Sequence, residues 1–192
     1  MSALLAVKFQ TGPQPRLWTV GEFHQLGDLG LLEGRRAVLL DGVILEQGPM
    51  NPPHAIAATK TEDLIRESFG KGWHVRVQKP LVLGQATDPE PDVAVLPGRP
   101  ADYPAHPTTA ALVVEVADSS LRFDTGEKLA WYAAAGIPEY WVLDVNARQL
   151  LAYRDPDPAG RTYRTQLTRA EAESVSPLAA PTASLRVADL LP

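Results

Sequence analysis

Two acidic residues of this chain sit in surroundings that make them candidates for chemistry. Glu115 interrupts Leu112-Val113-Val114-Glu115-Val116-Ala117, a run of Val and Leu that reads as a strand covered on both faces. An ionised carboxylate there is costly unless it is paired or binds a cation. Asp92 opens a second apolar run, Pro91-Asp92-Val93-Ala94-Val95, and Lys128 follows Glu115 a short way downstream. Two carboxylates on neighbouring strands beside an amine suit a divalent metal, since Mg²⁺ takes oxygen ligands, usually one or two carboxylates plus waters and phosphate oxygens. Such an ion lowers the pKa of a bound water and polarises a phosphoryl oxygen, while an ammonium group stabilises charge developing on the phosphate. The chemistry this implies is cleavage of phosphodiesters.

The elements that must position these groups are readable in order. Thr19-Val20-Gly21-Glu22 has capping-box spacing and starts a short helix to about Leu26. Ala37 to Leu40 and Val43 to Leu45 flank Asp41-Gly42, a strong hairpin signal, and Glu46 follows the second strand. After Pro52-Pro53, Ala57, Ala58, Thr61, Leu64, Ile65 and Phe69 recur at three and four, giving a long helix that stops at Gly70. Trp73 to Gln78 and Leu81 to Leu83 alternate like strands, and a further strand starts near Asp92. Pro97 to Pro107, with Asp102, Tyr103 and His106, reads as a surface loop able to border a cleft. Asp124-Thr125-Gly126-Glu127 is a second capping-box-like start, with Asp124 as the cap and Lys128 in the first turns of the helix. Tyr140 to Leu143 and Gln149 to Tyr153 are strands joined by a turn around Asn146, and Tyr132, Tyr140 and Trp141 read as core. Beyond Asp155 the pattern offers one more strand and a terminal turn at Val187 to Leu191. This order predicts an α/β (α+β) domain with a mixed sheet flanked by helices, one domain over 1–192 with its core at about 17–155 and a C-terminal extension at 156–192.

Composition narrows the classes. With 192 residues, 45% apolar and 21% charged, the chain has an ordinary globular balance and no apolar run long enough to span a membrane. Met1 to Val7 lacks the basic lead and cleavage site of a secretory signal and reads as a loose arm or edge strand. The absence of Cys excludes disulfides and thiolate zinc sites and suits a cytoplasmic location. A net charge of −5 argues against broad coating of nucleic acid, although residues 54–80 carry five bases against three acids. No phosphate-cradling Gly-rich loop, nucleophile elbow or His pair at metal spacing is present.

Seven segments, in order, resemble the Uma-two family of restriction-endonuclease-like nucleases within the PD-(D/E)xK superfamily. They are Leu40-Asp41-Gly42-Val43-Ile44, Met50-Asn51-Pro52-Pro53-His54, Gln78-Lys79-Pro80-Leu81, Pro91-Asp92-Val93, Val114 through Ser120, Asp124 through Lys128, and Tyr132 through Asp144. The resemblance implies a restriction-endonuclease-like fold and a Mg²⁺- or Mn²⁺-dependent endonuclease acting on DNA. It also implies a metal set of Asp92, Glu115, Val116 and Glu46. Glu46 corresponds to the family's extra acidic residue before the long helix, holding a second metal or orienting its water, and His54 touches phosphate or positions water. The superfamily's plain pattern has its Lys two residues beyond the Glu, where this chain has Ala117. The resemblance then implies a Lys moved to the following helix, Lys128, with Lys79 as rival.

Bland readings stand beside these: a salt-bridged buried Glu115, a strand-start Asp92, solvated Lys128 and Glu46, and a helix-start His54. A glycosidase would also use two carboxylates, but the amine favours phosphoryl chemistry. The competing function is a catalytically silent nuclease-like module that binds nucleic acid or protein. A homodimer would suit cutting both strands of a duplex.

Overall fold

Thr19 and Glu22 form the reciprocal box their spacing predicts. The Glu22 N–H donates to the Thr19 hydroxyl at 3.2 Å, and the Thr19 N–H donates to the Glu22 carboxylate at 3.0 Å. The helix so started, α1, runs over Val20–Asp28 in the computed structural model, which describes residues 14–192. Met1 to Val7, expected as an arm or edge strand, lies outside the described residues.

β1 (Ala37–Leu40) and β2 (Val43–Glu46) form an antiparallel hairpin that stands as its own two-stranded sheet. Its turn needs glycine: Gly42 has φ +80°, and a Cβ there would lie 2.7 Å from the Leu17 Cβ. α2 (Pro52–Phe69) follows, with Ala57, Ala58, Thr61, Ile65 and Phe69 buried along one stripe, and it ends at Gly70 with φ +62°.

The central sheet has six strands in sequence order: β3 (Trp73–Val77), β4 (Val93–Pro97), β5 (Leu112–Ala117), β6 (Glu139–Asp144), β7 (Gln149–Asp157) and β8 (Thr162–Ala170). All pairings are antiparallel except β5 with β6. A parallel pair needs a crossover. Here it is one helical segment made of α3 (Leu121–Phe123), a π-helical turn (Asp124–Lys128) and α4 (Leu129–Ala134). Strand alternation then sorts the core. Val93, Val95, Val114 and Val116 pack with α2, while Ala94, Val113, Ala117 and Val142 pack with Tyr132 and Ala133 of α4. Glu115 shares the parity of Val113 and Ala117 and so belongs to the α4 side.

Two stretches differ from expectation. Leu81 to Leu83 joins no strand: the Leu81, Val82 and Leu83 N–H groups donate to the carbonyls of Pro89, Pro107 and Thr87. The segment is extended and saturated by loop partners, so its alternation has no ladder to join. The residues after Asp155 contribute more than a strand and a turn. β8 extends the central sheet, and β9 (Ser174–Val175) pairs with β10 (Leu185–Arg186). α5 (Val187–Leu190) then adds Val187 and Leu190, both fully buried, to the core on the α2 side. Among the described residues no helix is long and apolar enough to cross a membrane.

Because Leu190 fills a core shared with α2, Leu190→Ala is expected to cost about 2–5 kcal/mol in urea unfolding, the range for deleting a buried Leu. A change within about 0.5 kcal/mol, the usual effect of a surface substitution, would mean that the C-terminal segment packs independently of the core.

Candidate active site

The register of β4 on β5 sets the site. Val93 lies opposite Val114, and one further step along the pair brings Asp92 opposite Glu115 on the α4 side of the sheet. Asp92 is 7% exposed and Glu115 2%, so both carboxylates are buried yet line a cleft of about 310 Å³.

Asp92 is held by three donors. His54, at the start of α2, meets Oδ1 through Nε2 at 3.0 Å, and the Gln78 amide donates to the same oxygen at 3.3 Å. The Val116 main-chain N–H donates to Oδ2 at 2.9 Å. Gln78 reaches this position because it leaves β3 with φ +47°, and its own N–H turns back to the carbonyls of Pro91 and Asp92. Burial would raise the Asp92 pKa, but the His54 hydrogen bond and charge, with the Val116 N–H, hold it below its ordinary value. In return the Asp92 hydrogen bond raises the His54 pKa against the opposing effect of burial.

Glu115 faces a different set. Its Oε1 accepts from the Tyr132 hydroxyl at 2.7 Å, and its Oε2 lies 2.8 Å from the Lys128 ammonium. That ammonium also lies 2.9 Å from Asp124 Oδ1, and the other Asp124 oxygen accepts from the Ser120 hydroxyl. Asp124 is fully buried inside the π-helical turn and does not cap the helix as the sequence predicts. The helix begins earlier, at Leu121 after Ser120, so Asp124 falls inside it and turns its carboxylate on Lys128 instead. Burial raises the Glu115 pKa to about 7; Lys128 opposes the rise, and Asp92 and Asp124 add to it. Lys128 moves the other way: burial would lower its pKa, and Glu115 and Asp124 raise it, keeping the amine charged.

The cluster therefore buries three carboxylates around one firmly charged amine and one histidine. Burial first, and the neighbouring Asp92 and Asp124 carboxylates after it, hold the Glu115 pKa up against Lys128. Asp92 and Glu115 keep unused lone pairs beyond the donors just described. Val116 adds a main-chain carbonyl that leaves the strand on the same side as the N–H bound to Asp92. Hard oxygen donors with a deficit of positive charge fit a divalent cation of the Mg²⁺ type, which needs few protein ligands. Among the described residues no group of three or more His, Asp and Glu is placed to hold a metal ion, so an ion here would rest on two carboxylates with waters and phosphate oxygens completing its shell.

Not every sequence candidate joins this cluster. Glu46 lines the mouth of the cleft but is exposed, and its carboxylate is paired with Arg35 across the base of the hairpin. Lys79 is exposed and outside the cleft lining; its neighbour Gln78 takes the place beside Asp92. The 97–107 loop does border a cavity, lined by Tyr103 and His106 with His24 and Arg76, but that cavity shares no lining residue with the cleft at Asp92. Sequence pattern assigns no chemistry to Tyr132, Asp124 or Gln78. Tyr132 looks like core by composition, Asp124 like a cap by spacing, and Gln78 is carried in by a backbone conformation that its residue type does not announce.

A family model described as "Putative restriction endonuclease", Uma2, matches residues 20–188 of the chain. Among solved structures, one from Anabaena variabilis, described as a putative nuclease belonging to DUF820, superposes with a TM-score of 0.65 at 13% identity. That match covers 80% of this chain and 88% of the other and is a likeness of fold. No match was found among curated proteins.

The ionisation of the cluster has a consequence for the metal-free protein. Glu115 holds its proton to about pH 7 when folded, against an ordinary 4.5, so between these values the folded state binds more protons and stability falls as pH rises. His54, raised above 6.5, adds to the loss above that pH. Asp92, lowered below 3.8, acts in the opposite sense but only in acid. The melting temperature in EDTA is therefore expected to fall by several degrees between about pH 5 and 8, and Glu115→Gln is expected to flatten most of the slope. A wild-type profile that rises over this window would mean Glu115 is ionised throughout.

Proposed function

Since this chain belongs to the Uma2 family, whose description is "Putative restriction endonuclease", we propose that it is a Mg²⁺- or Mn²⁺-dependent endonuclease that hydrolyses phosphodiester bonds of DNA. One observation carries the reading: the Asp92 and Glu115 carboxylates face one cleft on adjoining strands, with the Lys128 ammonium 2.8 Å from Glu115. Asp92 and Glu115 are the side chains that would hold the ion, with the Val116 carbonyl beside them. When bound, it supplies Lewis acidity toward the phosphate and an acidified water ligand.

The chain's own residues divide the remaining work. His54 and Gln78 fix the Asp92 carboxylate through Oδ1, and the Val116 N–H fixes it through Oδ2, so its free lone pairs have one orientation. Tyr132 does the same for Glu115 and remains a donor, because burial first and the neighbouring Glu115 second hold its pKa well above the ordinary value. Lys128 keeps positive charge at the cleft wall, where charge builds on a phosphate undergoing attack, and such preorganised charge acts strongly in a site with little water. Glu46, on the lining at the mouth, would hold a second ion or orient its water, its exposed pair with Arg35 being weak enough to give way.

Supercoiled plasmid is expected to be nicked by the wild-type protein with Mg²⁺ or Mn²⁺ and left intact with EDTA. Asp92→Ala and Glu115→Ala are each expected to lower the rate by at least about 10²-fold, comparable to losing one preorganised electrostatic group. Calorimetry should show Mn²⁺ binding to the wild-type and not to either variant. Metal binding without cleavage on any nucleic acid would point to a silent binding module, and nicking unaffected by Glu115→Ala would remove this site from the mechanism.

A further inference from the structure

The walls of the cleft differ from its acidic floor. Leu45 of the hairpin, Met50 before α2 and Phe123 of α3 line it with side chains that are partly or well exposed. The Phe123 ring is held edge-on to Trp131, with centroids 5.6 Å apart at 77°, so its position is fixed. Glu90, also on the lining, is half-buried and accepts no hydrogen bond from any described residue. Among its cationic neighbours, Arg36 lines the same cleft but directs its guanidinium to the Gly48 carbonyl at 3.5 Å. A volume of about 310 Å³ lies at the small end of ligand pockets, roughly 300–1,000 Å³, and matches a single small ligand such as one nucleotide.

Charge points the same way. A duplex brings phosphates at close spacing and is held by many Lys and Arg contacts. This cleft is lined by five carboxylates, Glu46 among them paired with Arg35, against Arg36, His54 on Asp92 and a Lys128 already bound to Glu115 and Asp124. Such a surface offers few of those contacts and accepts a phosphate only where a cation offsets the acids. A single base, by contrast, finds an apolar wall for its face and a carboxylate for its edge. A carboxylate only accepts hydrogen bonds. Guanine offers it two adjacent donors, N1–H and the 2-amino group, whereas thymine offers one N–H between two carbonyls that a carboxylate repels.

We propose, resting on the nuclease reading above, that the cleft takes one unstacked nucleotide, its base against Leu45, Met50 and Phe123 and its donors on Glu90. The substrate is then single-stranded or locally unpaired nucleic acid, with guanine preferred over thymine at the seated position. Bases extruded for chemistry are recognised in this manner, by apolar contact on the face and hydrogen bonds on the pairing edge.

The test compares oligonucleotides that carry one guanine or one thymine at a fixed place in an otherwise constant strand, offered single or annealed, with Mn²⁺. Single strands are expected to be cut at least about tenfold faster than duplex, and the guanine strand faster than the thymine strand by a similar factor, as a good bidentate base contact supplies. Glu90→Gln, a near-isosteric change, is expected to collapse the guanine preference while the preference for single strands persists. Equal or faster cutting of the duplex overturns the inference and leaves the nuclease reading standing. Should no oligonucleotide be cut, the plasmid assay decides the nuclease reading and calorimetry with dGMP and dTMP in Mg²⁺ decides the pocket. Tighter dGMP binding by about tenfold, lost in Glu90→Gln, supports it, and equal or absent binding overturns it.

Discussion

The ammonium of Lys128, clamped between Glu115 and Asp124, is the contact on which the cleft depends. Without it the sheet and crossover would bury two carboxylates with no counter-charge. Removing one partner of a buried ion pair typically costs about 3–5 kcal/mol, because the remaining charge is left stranded. The clamp is also incomplete by design of the chain: one positive charge answers Glu115 and Asp124, while Asp92 relies on neutral donors and on His54. Burial, with the Asp92 and Asp124 charges added to it, raises the Glu115 pKa to about 7, and the shortage of positive charge makes the cleft receptive to a cation. A fully neutralised cluster of the same residues would be a structural core element and nothing more.

Much of this was legible from sequence, and the reasons are specific. The Val and Leu flanking Glu115 make β5 recognisable as a doubly covered strand, so the misplaced charge stands out. Pro91 and the valines after Asp92 mark the start of β4, and antiparallel pairing then carries Asp92 to Glu115. The hairpin at Asp41-Gly42, α2 and its Gly70 stop follow from local turn and cap chemistry, which short-range pattern reports well. The family resemblance drawn from seven short segments agrees with the model match over residues 20–188 and with a mixed sheet flanked by helices.

What escaped the sequence was decided by geometry beyond the reach of spacing rules. A π-helical turn changes which face each residue presents, so Asp124 moves from a capping position to a buried partner of Lys128. Gln78 enters the site through a left-handed backbone angle at the end of β3, while Lys79, the residue with the more suggestive chemistry, stays outside. Tyr132 is both core and hydrogen-bond donor, and its apolar neighbours conceal the second role. Glu46 stands apart from the buried cluster: it lines the mouth of the cleft, with Arg35 across the hairpin as its exposed partner.

The single parallel pairing in the sheet, β5 with β6, has a bearing on how the molecule comes together. The crossover that this pairing demands is the segment that carries Asp124, Lys128 and Tyr132. Pairing across such a connection is slow because the loop must close before its contacts form. During that interval Glu115 lacks both its cation and its hydroxyl donor, and a protonated carboxyl enters the forming core more readily than an ionised one. The closure that this pairing demands is thus the same event that brings Glu115 both its cation and its hydroxyl donor, so topology and site are completed together.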